Sequence, residues 1–233
     1  HSSIQKAAML AGFGCDHVRK VAVNEQRALD ISALRTSIAT DISNGLRPCA
    51  IVATTGTTTT TAFDPINAIA DIADEFDVWL HIDGAMAGTA MILPECRPLW
   101  HGIDRAHSLV VNPHKWLGVS FDCSVFYVRD DEHLVRVMRT DPSYLRTAFD
   151  DSVKTYRDWG VALGRRFRAL KLWSLIRTHG TTKLRTRIRR DLENAQWLKQ
   201  QIEKAPDWKL LAPVPIQTLC IRHEPDGIAG DAL

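Results

Sequence analysis

Short apolar runs alternate with amphipathic stretches along the first half of the chain. Runs that are rich in β-branched residues, have the length of a strand and end at turn-forming residues predict buried strands. The predicted strands are HVRKVAV (17–23), PCAIVAT (48–54), VWLHID (78–83), SLVVN (108–112) and CSVFYVR (123–129).

Amphipathic stretches lie before and between these strands and predict helices. Each begins at a residue whose side chain can accept a backbone N–H, and the predicted N-caps are Ser2 or Ser3, Asp30, and Asp64. Pro65 stands at a first helical position, where its missing N–H costs nothing. Strands that alternate with helices of about 10–15 residues predict an α/β fold, with a mostly parallel sheet and helices on both faces.

The character of the sequence changes in its second half. Two long arginine-rich helical patterns, 156–180 and 182–204, precede the strand candidates WKLLA and IQTLCIRHE. We therefore predict that residues 1–170 are the C-terminal part of a large domain and that 171–233 begin a small α+β domain. The chain starts without a methionine and stops where no element has clearly closed, so we expect a fragment of a longer protein.

Composition narrows the classes of partner. A chain with 45% hydrophobic residues, 24% charged residues and a net charge of +2 is typical of a soluble globular protein, without nucleic acid or membrane as partner. The segment from Arg177 to Arg190 interleaves its charges with Leu184 and Ile188, which favours a solvated helix face over a nucleic-acid site. The scattered cysteines and histidines lack the spacing of metal ligands. The cysteines, which occur singly and in odd number, favour reduced thiols in the cytoplasm.

Polar residues follow three predicted strands at the points where the strands end. A threonine run follows strand 48–54, Asp83 ends strand 78–83, and Lys115 comes just after strand 108–112. Ligands of open α/β sheets bind beyond the carboxyl ends of the strands, so we expect these residues to converge. A partly desolvated lysine can form a Schiff base with a carbonyl, and a carboxylate can hold a protonated pyridine nitrogen. This combination suits pyridoxal phosphate.

Each of these residues also has a purely structural explanation. Lys115 could extend into solvent from a strand end, and Asp83 could cap a turn. The threonine run could be a β-loop, and the Asn-Pro-His before Lys115 could be another turn. The conjunction at successive strand ends favours a functional site more than any single residue does.

The stretches WLHIDGAMAG (79–88) and VNPHKWLGVSFDCS (111–124) closely resemble the pyridoxal-phosphate-dependent group II decarboxylases, nearest the aromatic-L-amino-acid decarboxylase branch. Further matching stretches are HSSIQKA, GTTTTTAFDP, LPECR, DPSYL and YRDWGVALGRRFRALKLW. The resemblance covers nearly the whole chain and weakens after about residue 205. It implies the aspartate-aminotransferase-like fold (fold type I) and pyridoxal 5′-phosphate as the cofactor.

The resemblance also implies roles for residues at matching positions. Lys115 would be the Schiff-base lysine, and Asp83 would pair with the pyridinium nitrogen. Tyr144 would match a mobile-loop tyrosine that supplies the proton replacing carbon dioxide. The remaining implied cofactor contacts are Ala85 beneath the ring, His1 stacked on it and touching substrate, Thr58 or its neighbour Thr57, Asn112 and His114.

The implied activity is decarboxylation of an L-amino acid of the DOPA, tryptophan, tyrosine or phenylalanine type to its amine, by a homodimer. Alternatives are decarboxylation of an acidic amino acid, oxidative formation of an aldehyde, and an inactive homologue that serves as a scaffold. Gly84 and Met86 depart from the alanine and tyrosine usual in animal members, which changes the expected substrate shape. The family's phosphate-binding loop lies upstream of a residue like His1, so the predicted function belongs to the whole protein.

Overall fold

The computed structural model describes residues 1–140 and 156–225. Its helices are α1 (Ser2–Leu10), α2 (Ile31–Ser43), α3 (Ile66–Glu75), α4 (Asp131–Met138) and α5 (Ala169–Lys204). Its strands are β1 (Ala50–Thr54), β2 (Trp79–Asp83), β3 (Ser108–Val111), β4 (Val125–Val128), β5 (Trp208–Leu210) and β6 (Ile221–His223). Short 3-10 helices cover Ala87–Ile92, Pro94–Trp100, Ile103–Arg105 and Tyr156–Trp159. No helix in the two described ranges combines the length and the apolar character needed to cross a bilayer.

The main sheet has the order β1-β2-β3-β4. Strands β1, β2 and β3 are parallel, and β4 returns antiparallel beside β3. Strands β5 and β6 form a separate antiparallel pair. The predicted α/β fold with a mostly parallel sheet is therefore confirmed.

One hydrophobic cluster holds the sheet and its helices together. It contains Ile69 and Ile72 of α3 with Leu80 and Ile82 of β2, all of them almost completely removed from solvent. Each such side chain contributes about 1.5–3 kcal/mol by leaving water. Ile188 of α5 lies in the same cluster, so the long helix packs onto the core that carries the sheet.

Two predicted helix starts are wrong in detail. The N-cap of α1 is His1, whose Nδ1 accepts the N–H of Ser3 at 3.1 Å, and neither Ser2 nor Ser3. Asp64 does not cap α3, because its two carboxylate oxygens accept backbone N–H groups of Leu29 and Thr54 instead, each at 2.7 Å. The third predicted cap is confirmed, since Asp30 accepts the N–H of Ala33 at 2.7 Å.

The predicted strand at 17–23 is also wrong. Within the described residues only Val23 of this run pairs, through an isolated antiparallel bridge to Leu29. Val23 is 54% exposed and Val21 packs only partly buried against the core, and one isolated bridge is not a ladder of backbone hydrogen bonds. Its β-branched composition alone does not make it a strand.

Helix α5 bears out the predicted solvated arginine face only in part, because Arg177, Arg189 and Arg190 are exposed but Arg185 and Arg187 are half-buried. Arg185 donates to the carbonyl of Ile92 at 2.8 Å, Arg187 donates to two backbone carbonyls, and Arg189 pairs with Glu95 at 2.6 Å. A left-handed residue, Gly180 (φ 67°), interrupts the helix between the two predicted helical patterns. Because α5 starts at Ala169, it crosses the predicted domain boundary, which stays a prediction.

Candidate functional site

The carboxyl ends of the three parallel strands meet at one edge of the sheet. In the register of the ladder Thr54 pairs with Asp83, and Asp83 pairs with Val110. Just beyond the ladder, the N–H of Thr55 donates to the carbonyl of Asp83, and the N–H of Gly84 donates to the carbonyl of Val110, both at 3.0 Å. The loops after β1, β2 and β3 therefore leave the sheet side by side, as the sequence predicts.

Asp83 ends β2 as a half-buried residue. Its Oδ1 accepts the N–H of Ala85 at 3.0 Å, and the carbonyl of Ala85 accepts the N–H of Asn112 at 3.0 Å. This chain of bonds ties the turn after β2 to the turn after β3. The carboxylate thus stabilises the turn that follows it, as the structural explanation expected, through a hydrogen bond to its Oδ1.

Burial and the charge of Asp83 both shift the pKa of His81, in opposite directions. His81 lies two residues before Asp83 in β2, and its Nδ1 is 2.8 Å from the hydroxyl of Ser108. Removal of the imidazole from water lowers the pKa of His81, and the charge of Asp83 acts in the opposite direction. The ring is therefore biased towards the neutral form beside the carboxylate.

Lys115 stands in a tight turn after β3. Its N–H donates to the carbonyl of Asn112 at 2.9 Å, and its carbonyl accepts the N–H of Gly118 at 3.3 Å. Leu117 and Val119 are buried, but Lys115 itself is exposed. The expected partial desolvation of the lysine is thus not found within the described residues, because the turn points its side chain into an open cleft.

The cleft has a volume of about 600 Å³ and brings together residues from distant parts of the chain. Lys115 and Thr58 line it, as does Met86 from the turn after β2. Asp191 of α5 and Gln217 line it as well. The sequence pointed to the first three positions and missed the last two, which carry no local motif.

Other predicted site residues are held by contacts within their own loops. The Oγ1 of Thr57 accepts the N–H of Ala62 at 3.0 Å and lies 2.8 Å from the Oγ1 of Thr60. The Nδ1 of His114 accepts the N–H of Cys123 at 3.0 Å. These contacts give Thr57 and His114 structural roles at the edge of the site.

The catalytic roles of His1 and Tyr144 stay predictions, as does that of Lys115. His1 is exposed, and its ring is engaged with Ser3 at the start of α1. Tyr144 lies outside the described residues.

Two buried polar groups near the cleft have no hydrogen-bond partner within the described residues. One is the Oδ1 of Asn112, and the other is the side-chain amide of Gln217, through both its nitrogen and its oxygen. A buried polar atom without a partner costs about 1–3 kcal/mol, so such atoms mark places where a partner is to be supplied. Within the same residues no group of three or more His, Cys, Asp or Glu side chains could hold a metal ion.

Comparisons with known proteins agree with this arrangement. The profile of the pyridoxal-dependent decarboxylase conserved domain matches residues 1–224. Tryptophan decarboxylase TDC1 of Camptotheca acuminata is 39% identical over 229 residues, which are 97% of this chain and 46% of that protein. Phenylacetaldehyde synthase of a Rosa hybrid cultivar is 38% identical over 232 residues, 98% of this chain and 46% of that protein.

A solved structure shows the same similarity in three dimensions. The crystal structure of Oryza sativa TDC with PLP and tryptamine superposes with a TM-score of 0.93 at 37% identity. The superposition covers 96% of this chain and 46% of that chain. The chain thus spans about half the length of the relatives that it matches.

Proposed function

Because the chain belongs to the pyridoxal-dependent decarboxylase family, we propose that the whole protein decarboxylates an aromatic L-amino acid with pyridoxal 5′-phosphate as cofactor. The products are the amine and carbon dioxide. The observation that carries the proposal is the position of Lys115 in a cleft at the sheet edge where Asp83 ends the neighbouring strand.

The residues at this edge fit the cofactor. A primary amine, a carboxylate and a hydroxyl come from Lys115, Asp83 and Thr58, which lie at or just beyond the carboxyl ends of three adjacent strands. The buried Oδ1 of Asn112, which has no hydrogen-bond partner among residues 1–140 and 156–225, adds an acceptor. This is the set of groups that an aldehyde on a protonated pyridine ring would use.

The cofactor, when bound, supplies an electron sink for the pair released by bond cleavage next to the amino group. In our proposal Lys115 would hold the cofactor covalently through its side-chain amine. Asp83 would keep a proton on the pyridine nitrogen, and Ala85 would pack against the ring. His1 would stack on the ring and contact the substrate, while Asn112, His114 and Thr58 or Thr57 would add polar contacts. Tyr144 would deliver the proton that replaces carbon dioxide.

The names of the relatives support an aromatic substrate and leave the product to experiment. The Camptotheca relative is named as a tryptophan decarboxylase, and the Rosa relative of nearly equal identity is named as a phenylacetaldehyde synthase. The retention of tyrosine at position 144 favours the amine, because the resemblance associates aldehyde formation with phenylalanine there. Aldehyde formation is therefore the second candidate.

The test uses the full-length protein reconstituted with pyridoxal phosphate. We expect release of carbon dioxide from one or more of DOPA, tryptophan, tyrosine and phenylalanine, and none from glutamate, with the amine as the product. Borohydride should fix the cofactor to Lys115, which peptide mass spectrometry identifies. Lys115→Ala should abolish both signals, whereas Lys183→Ala, at an exposed lysine of α5, should retain them.

Several outcomes would contradict this proposal. Carbon dioxide release from glutamate alone would replace the substrate class, and an aldehyde as the main product would favour the second candidate. Protein that stays colourless with added cofactor would indicate a scaffold. We also propose a cytoplasmic homodimer, which light scattering of the full-length protein and cell fractionation would check.

A further inference from the structure

Helix α5 carries different contacts on the two sides of its buried stripe. Leu184 and Ile188 are buried in the core. With about 100° between successive helical residues, Arg185 and Arg189 flank one side of this stripe, and Arg187 and Asp191 flank the other. The second pair stands one helical turn apart and faces the turn that carries Lys115.

Arg187 holds the backbone of that turn. Its Nη2 donates to the carbonyl of Trp116 at 2.9 Å and to the carbonyl of Leu117 at 2.6 Å. Gly118 makes this approach possible, since it adopts a left-handed conformation (φ 77°) and an added Cβ would lie 2.9 Å from Nη1 of Arg187. A charged donor shared by two carbonyls is among the stronger hydrogen-bond arrangements in proteins.

Asp191 holds the side chain of the same turn. Its Oδ2 accepts the indole N–H of Trp116 at 3.0 Å. Asp191 also lines the cleft that contains Lys115. Trp116, the residue after Lys115, is therefore held at its carbonyl by Arg187 and at its indole ring by Asp191.

We propose that Arg187 and Asp191 are positioning residues that fix the turn after β3 and so aim the Lys115 amine into the cleft. This inference rests on the proposed function, because it concerns the same lysine. The lysine is exposed, and the backbone bonds of its turn lie within the turn itself, so the two α5 contacts are what fix the turn to the long helix and set where the amine stands. An amine that must meet an aldehyde gains rate from being held in place.

The attachment of α5 to the core does not depend on this pair. Arg185 binds the carbonyl of Ile92, and Arg189 pairs with Glu95, both on the other side of the helix. Leu184 and Ile188 supply the apolar packing. Loss of Arg187 or Asp191 should therefore release the turn while the helix stays docked.

The experiment is a double-mutant cycle in the full-length apoprotein. The variants are Trp116→Phe, which keeps the ring and removes the indole N–H, Asp191→Ala, and the two combined. The first readout is the rate at which added pyridoxal phosphate gives the absorbance of cofactor bound to Lys115. The second, measured without cofactor, is the rate of acetylation of Lys115 followed by peptide mass spectrometry.

Each single variant should slow cofactor capture by about 10-fold, the size expected for one hydrogen bond to a charged group. The double variant should be no slower than either single variant, because both remove the same bond. Asp191→Asn keeps an acceptor and should return capture to within about 3-fold of the wild type. Arg187→Met should slow capture by about 10-fold or more and should change the acetylation rate of Lys115.

The matched control is Arg190→Met, which removes the same charge from an exposed position of the same helix. It should change capture by no more than about twofold. Multiplicative effects in the cycle, or capture by Arg187→Met at the wild-type rate, would overturn the positioning role and leave the proposed function intact. Failure of the wild type to capture cofactor at Lys115 would overturn both.

Discussion

The carboxylate of Asp64 offers the sharpest test of how the site is supported. It accepts the N–H of Leu29 and the N–H of Thr54, each at 2.7 Å, and so ties the end of β1 to the segment before α2. Asp64→Ala leaves both donors without a partner in a half-buried place. At about 1–3 kcal/mol for each, the loss is about 2–6 kcal/mol in the free energy of unfolding.

The pKa of Asp64 decides which part of this range of destabilisation we expect for Asp64→Ala at pH 7. Burial raises the pKa of Asp64 above its usual value and outweighs the two backbone hydrogen bonds, which lower it. The folded state therefore binds the proton more tightly than the unfolded chain does. The contribution of Asp64 to stability is then greatest at low pH and falls as pH rises through the folded-state pKa. At pH 7 we expect a loss in the lower half of the range.

Urea unfolding of the full-length protein, followed by tryptophan fluorescence, measures this loss. With a slope of about 3 kcal/mol per M, the midpoint of Asp64→Ala should fall by about 1 M. The control is Asp71→Ala, which removes a carboxylate that is 61% exposed and paired with Arg105 on the surface. It should cost about 1 kcal/mol or less. Equal midpoints for the two variants would refute the bracing role of Asp64.

Three further changes give separate tests. Gly56→Ala should destabilise the folded protein by about 2 kcal/mol or more on thermal unfolding, because the added Cβ would lie 2.4 Å from a buried side-chain carbon. The control Gly45→Ala, where the added Cβ meets open space, should destabilise it by about 1 kcal/mol. Asp83→Asn should lower the pKa of His81 further in an NMR titration, since a charge that raises it is gone, and should reduce turnover by about 100-fold. Tyr144→Phe should shift the product from amine towards aldehyde, and unchanged amine output would remove its proposed role.

The sequence by itself determined the architecture of the sheet. Apolar runs of strand length separated by amphipathic stretches predicted β1, β2, β3 and β4 within a few residues, because burial of a face imposes a local period on the chain. It also placed Asp83 and Lys115 at the ends of neighbouring strands. Parallel strands bring their carboxyl ends to one edge, so local signals were sufficient to predict that convergence.

Only the tertiary structure decided which side chains support these residues. Asp64 looked like a helix cap and proved to be a brace, because two N–H groups outside its own helix compete for its oxygens. The arginines of α5 looked solvated, yet Arg187 bonds to a carbonyl 70 positions away, and Asp191 bonds to an indole 75 positions away. Such contacts leave no periodic signature, since they depend on where the fold places a donor and an acceptor that are distant in the chain.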